Sequence, residues 1–197
     1  MDPRQLATAA LRRAKDIFDV AGAGYALLTS EETRELVQLY DIELNHRGFQ
    51  IRQRGAPVEH QRGFRRTVSW NGAVGNEAAS QLLEFVFQKM ISDSVDAVRT
   101  YSKAIGEWNL LKKQDWFAVG HHLRNAYAHN GKWHFEEHAV LPVTYRYHTL
   151  TREMHGEPAA GFLPYLDGQQ LVAQMTLYVS GNVDYAQQPM PTVQVSS

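Results

Sequence analysis

The chain has 197 residues, of which 44% are hydrophobic, which is enough for one domain with a sizeable core and cramped for two. Twenty basic residues against twenty-one acidic ones leave a formal charge of −1, so there is no global pull toward nucleic acid and any such binding must come from a local patch. Cysteine is absent, which excludes disulfides, thiol catalysis and cysteine-ligated metals.

Leu6, Ala10, Ala14, Ile17, Phe18 and Ala21 recur at three- and four-residue spacing and predict an amphipathic first helix ending at Gly22-Ala23-Gly24. The charges among them, Arg12, Arg13, Lys15, Asp16 and Asp19, do not suit a signal peptide, and no later run reaches membrane-spanning length. The expectation is a cytoplasmic protein with no membrane partner. Thr29 and Glu32 have capping-box spacing and predict a second helix, with Leu36, Val37, Leu39, Tyr40 and Leu44 on its buried face, stopping before Gly48.

Residues 46–72 differ in kind. Arg47, Arg52, Arg54, Arg62, Arg65 and Arg66 face a single acid, Glu59, among glycines and a proline. This arginine-rich connection reads either as a solvated link or short hairpin, or as an RNA-contacting arm in which Arg62, Arg65 and Arg66 bind phosphates.

Asn76 caps a predicted long third helix with Ala79, Leu82, Leu83, Val86, Met90, Ile91, Val95, Val98, Tyr101 and Ile105 at helical period, and Ile91-Ser92-Asp93-Ser94 is a candidate bend. Glu107 and Trp108 then stand where they could face a groove, although a boundary aromatic more often packs. Asp115 caps a predicted fourth helix from Trp116 to about His129, ended by Asn130-Gly131. Val143, Tyr145 and Tyr147 alternate with polar residues and predict a small hairpin turning near His155-Gly156-Glu157-Pro158. Asp167 caps a predicted last helix carrying Leu171, Val172, Met175, Leu177, Tyr178 and Val179, and residues 187–197 read as a frayed tail. The fold class expected is all-α: a helical bundle of about five helices with a small β-hairpin before the last, forming one domain over residues 1–186.

The fourth helix concentrates the chemistry. In His121-His122-Leu123-Arg124-Asn125-Ala126-Tyr127-Ala128-His129-Asn130, arginine offers a planar fork of donors suited to phosphate oxygens. Histidine, titrating near pH ~6.5 when unperturbed, can give and take protons at neutral pH. Four-residue spacing aligns Asn125 with His129, while His121 and His122 flank the same stripe one turn earlier. By residue type alone, the same positions also suit a surface ion pair for Arg124 and a histidine at the negative end of its helix. Tyr127 reads as a packing residue in line with Trp116 and Leu123.

The string Arg124-Asn125-Ala126-Tyr127-Ala128-His129 resembles the signature of the HEPN superfamily, in which an arginine is followed by a polar residue and, after four to six residues, a histidine. The context is similar too: a helical bundle, the motif near the end of a late helix, then Asn-Gly, a hairpin and a closing helix, over about residues 76–185. That resemblance implies a metal-independent endoribonuclease with no cofactor, acting as a homodimer whose two motif helices form one composite site. Arg124 and His129 would be the catalytic residues, with Asn125 and His122 supporting, and RNA would be cleaved by attack of the ribose 2′-hydroxyl on the adjacent phosphate. A toxin or phage-defence setting, with an antitoxin or defence-system partner, is the biological expectation. Gly131 stands where HEPN toxins paired with a nucleotidyltransferase antitoxin often carry tyrosine, which speaks against that pairing. The alternative from a different class is a non-catalytic HEPN-like module that binds RNA, a nucleotide or a protein partner.

A rival string, His134-Phe135-Glu136-Glu137-His138, fits the H-x-x-E-H pattern of inverted zinc peptidases, but it follows a helix terminator and leads within a few residues to Pro142. No metal is expected. His46, His60, His148 and His155 have no partner identifiable by spacing and read as surface positions.

Overall fold

The computed structural model describes residues 2–45, 48–54, 66–68 and 77–182. In chain order these form α1 (Pro3–Thr29), α2 (Glu31–Leu39), β1 (Tyr40–Asn45), β2 (Gly48–Gln53), β3 (Arg66–Val68), α3 (Ala78–Ala104), the short α4 (Trp108–Leu111), α5 (Asp115–Ala128), β4 (Val143–Tyr145), β5 (His148–Leu150), a 3-10 turn at Arg152–Met154 and α6 (Tyr165–Ser180). The protein is mostly helical, with a two-stranded antiparallel sheet before the last helix. No helix among the described residues is long and apolar enough to cross a membrane.

The chain forms two compact units, one of Met1–Asp16 with Gln88–Ser197 and the other of Ile17–Phe87. Within the first, Leu11, Met90, Ile91, Val95, Val98, Phe117, Leu123, Leu171 and Met175 are almost fully buried, joined by Trp133 and Leu150 from beyond the motif helix. Gly120 marks the closest approach: a Cβ there would lie 3.1 Å from Met175 Cε and 3.2 Å from Val95 Cγ2. The absence of a side chain at this point lets α5 lie tightly on α3 and α6, and so fixes the height of the motif that follows one turn later.

In the second unit, β1 pairs antiparallel with both β2 and β3, with Ile42 opposite Ile51 and Val68. Phe18 and Phe87 pack at a ring separation of 5.6 Å. The helix expected to run to about residue 47 therefore ends at Leu39, and Tyr40–Asn45 is a strand. Local apolar spacing could not separate the two, because the partners that make β1 a strand come from the arginine-rich segment. Ser30, not Thr29, caps α2: its Oγ accepts from Thr33 N at 3.2 Å, while Thr29 Oγ1 donates back to Tyr25 O.

Other boundaries shift for identifiable reasons. Gly22 and Gly24 do not stop α1, which runs on to Thr29. Its buried stripe is Ala7, Leu11, Ala14 and Phe18, while Leu6 and Ile17 are half exposed. α3 continues through Ser92–Ser94 without a break. The hairpin turns at Arg146-Tyr147, with Val143 opposite Leu150. Residues 155–159 instead pair back to the segment after the motif through an isolated bridge of Lys132 with Pro158, with Trp133 N donating to Glu157 O at 2.9 Å and Ala159 N to Gly131 O at 2.8 Å. Asp167 is not a cap: α6 starts after Pro164, and Asp167 accepts from Arg146 Nε at 3.1 Å and lies 2.9 Å from His148 Nε2. His148 is thus a partnered, largely covered side chain that ties the hairpin to α6. Asn76, His46, His60 and residues 187–197 lie outside the described residues.

Candidate functional site

α5 opens after Gln114, with Asp115 in its first turn, and buries Trp116, Phe117, Val119, Gly120, Leu123 and Ala126. That pattern uses up the inward face. His121, His122, Arg124 and Asn125 stay at the border between core and solvent, and His129 is exposed. The helix ends as its residue types dictate: His129 leaves helical geometry at φ −111 and ψ 55, and Asn130 (φ 58) and Gly131 (φ 72) follow in the left-handed region. Gly131 N donates to Ala126 O at 2.9 Å, a bond that satisfies one of the last carbonyls.

Arg124 reaches α3. Its Nε lies 3.3 Å from Asp96 Oδ1 and its Nη2 3.4 Å from Asp96 Oδ2, so the planar guanidinium is held by both carboxylate oxygens. The Arg124 side chain is still 33% exposed. One edge of the fork is held while the remainder stays open to solvent. Asp96 has no signal in the local sequence; only the crossing of α3 and α5 brings it to Arg124.

Asn125 Nδ2 sits 3.3 Å from His121 Nε2. An amide nitrogen only donates, so in this orientation Nε2 accepts and the neutral ring carries its hydrogen on Nδ1. Burial holds His121 below the usual histidine range, and the positive charges of Arg99 and Arg124 push the same way. His121 stacks on Phe117 with ring centroids 6.1 Å apart. His122 is lowered further, to about 4, chiefly by burial and then by His121. It packs edge-on against Phe135 at 5.3 Å. Both rings are neutral at physiological pH and form polar walls, not anion anchors.

His129 lies in different company. Its ring centroid is 5.3 Å from that of His134, which is 5.3 Å from that of His155. His155 Nδ1 accepts from Phe135 N at 3.2 Å, which fixes that ring on the pairing between residues 131–133 and 156–159. The row of three imidazoles is not legible in sequence, where His155 is 26 positions from His129. Arg124 and His129 make no direct contact among the described interactions, so any reacting group they share would lie between them.

A cleft of about 830 Å³ opens alongside, lined by Trp108, Lys112, Lys113, His121, Asn125 and Glu136 among others. Its size is that of a ligand pocket. The H-x-x-E-H string also borders it, but residues 133–136 are irregular and 137–138 form a turn, so no helix aims the two imidazoles at one point. Among the described residues no group of three or more histidine, aspartate or glutamate side chains could hold a metal ion.

Arg62 and Arg65 lie outside the described residues. Arg66 begins β3, and its side chain is likewise outside them. The cationic residues that the structure does gather, Arg99, Lys103 and Lys112, surround Trp108 instead. Comparison with protein-family models, curated proteins and solved structures finds no match to this chain.

Proposed function

We propose that this chain is a HEPN-like, metal-independent endoribonuclease whose reaction centres on Arg124 and His129. One observation carries the reading: a guanidinium held by Asp96 in the last turns of α5 and an exposed imidazole just past its end flank Asn125, which lines an open cleft. In the reaction a general base removes the 2′-hydroxyl proton and the 2′-oxygen attacks the adjacent phosphorus. The bond to the 5′-oxygen breaks, leaving a 2′,3′-cyclic phosphate, and a general acid protonates the departing 5′-oxygen. His129 serves one of the two proton transfers, and the solvent-facing part of Arg124 stabilises charge on the phosphoryl oxygens. One chain offers one His129, so a second proton-transfer group has to come from a second copy or from a neighbour such as His134. A homodimer with facing motif helices would meet that need, in a toxin or phage-defence setting with an antitoxin or defence-system partner.

The test is RNA cleavage in EDTA by wild type, Arg124→Ala and His129→Ala, with the new ends analysed. Loss of at least about a hundredfold in both folded variants, and 2′,3′-cyclic ends from wild type, is the expected outcome. Equal cleavage of matched DNA, which lacks the nucleophile, would sink the mechanism. A second reading is favoured by the Arg124–Asp96 pair itself. Because Asp96 already neutralises part of the arginine's charge, the site also suits an RNA-binding module that holds phosphate without breaking it, and wild-type binding without cleavage would select it.

A further inference from the structure

Trp108 carries an unusual concentration of charge. Lys103 Nζ lies 5.3 Å from its ring centroid, Lys112 Nζ 5.5 Å and Arg99 Cζ 5.8 Å. None of these three, nor Lys113 beside them, forms an ion pair with a described carboxylate. Trp108 is held by an edge-to-face contact with the buried Phe117 at 5.7 Å, and it lines the cleft that also contains His121 and Asn125. Like charges repel, so gathering these cations around one indole with no ion-paired carboxylate among the described residues disfavours the empty site electrostatically, and a polyanion would relieve that repulsion. The cation–ring attraction compensates only in part.

The cluster is also continuous with the motif. Asp96, Arg99 and Lys103 stand at i, i+3 and i+7 of α3 and so share one face, spanning roughly 10 Å along its axis. Asp96, at one end, holds Arg124, and Lys103, at the other, lies over Trp108. An indole with exposed, flexible lysines over its ring suits a single strand: a base stacks on the ring in place of an ammonium, and the displaced lysines meet the flanking phosphates.

We infer that the Trp108 cleft is a binding track for single-stranded nucleic acid, stacking a base on the indole and holding its flanking phosphates on Arg99, Lys103 and Lys112, next to the Arg124 motif. The inference rests on the ribonuclease reading only for the strand being RNA. Glu136, the one acid among the residues that line the cleft, acts on His121 and His122 and forms no ion pair with these cations among the described residues.

The experiment measures fluorescence anisotropy of a labelled 2′-O-methyl oligouridine 12-mer, which cannot be cleaved by its own 2′-oxygen, and of an abasic sugar-phosphate 12-mer, both in EDTA. Wild type is expected to bind the base-bearing strand more tightly. Trp108→Ala should weaken that strand roughly tenfold and the abasic one little, with Trp108→Phe retaining most of the affinity. Because Trp108→Ala touches packing on Phe117, the exposed pair Lys103→Gln/Lys112→Gln provides an independent arm. It should reduce the slope of log affinity against log salt by roughly 1.4. Equal binding by wild type and a folded Trp108→Ala, no preference for the base-bearing strand, or an unchanged salt slope would each overturn the track. Displacement of the strand by polyglutamate as readily as by oligouridine would overturn it in favour of an acidic-peptide groove. Trp108-dependent binding by a wild type that cleaves no RNA would leave the track standing and remove the nuclease reading.

Discussion

The Arg124–Asp96 pair joins α5 to α3, and its consequence belongs to single residues. An exposed ion pair of this kind contributes about 0–1 kcal/mol to folding, because solvent screens it and two side chains lose freedom. Its effect on orientation is larger: two contacts to one carboxylate fix the plane of the guanidinium, and in the proposed reaction a phosphoryl oxygen would have to meet that plane. Asp96→Asn should therefore leave the melting temperature nearly unchanged while lowering RNA turnover roughly tenfold or more. Thermal melts and cleavage rates on one preparation check both halves; a large stability loss with unchanged turnover would make Asp96 purely structural. Nothing in the residues around Asp96 identifies it, since its role comes from a helix crossing 28 positions from the arginine.

Among elements, α5 depends on a residue that carries no chemistry. Gly120 costs the helix some backbone entropy, about 0.5–1 kcal/mol against alanine, and its retention fits the contacts of 3.1 and 3.2 Å that any side chain would meet. Val95 is β-branched and buried, so it cannot move aside by rotation alone. Gly120→Val should destabilise the protein by about 1–3 kcal/mol in urea unfolding, and by lifting the end of α5 it should also lower cleavage in the population that remains folded. Most of α3, α5 and α6 was legible as apolar period. The stripe of α1 was not placed correctly, because Leu6 and Ile17 also lie at helical spacing and only packing selects Ala7, Leu11, Ala14 and Phe18. Trp108, read as a boundary packing residue, does pack on Phe117, yet its cation neighbours arrive from α3 and from beyond α4.

For the whole molecule, His121 and His122 set a pH dependence. Their folded-state values lie below the ordinary one, with His122 at about 4, so between pH 4 and 6.5 the unfolded chain binds protons that the folded chain does not. Stability is then greatest above about pH 6.5 and falls as pH drops toward 4. Because the His122 ring keeps some solvent contact, its share is about 1–2 kcal/mol, less than the full shift implies. His122→Phe, which preserves a ring against Phe135, should flatten the decline of melting temperature across that interval. A decline as steep as that of wild type would assign it to other groups. With both rings neutral, the charge that the proposed phosphate contacts would use is that of Arg124, Arg99, Lys103 and Lys112, on a chain whose net charge is only −1.

By itself the sequence determined the helical character, the terminator at Asn130-Gly131, a hairpin before the last helix and the presence of arginine and asparagine on one helix with a histidine at its end. These follow from spacing, turn preference and side-chain chemistry, all local along the chain. Tertiary structure alone decided that Tyr40–Asn45 is a strand, that Asp96 holds Arg124, that His134 stands beside His129 with His155 beyond it and that three cations converge on Trp108. Each of those depends on how one element or turn lies against another, and the free energy that selects them comes from burial and pairing between elements, which no local period encodes.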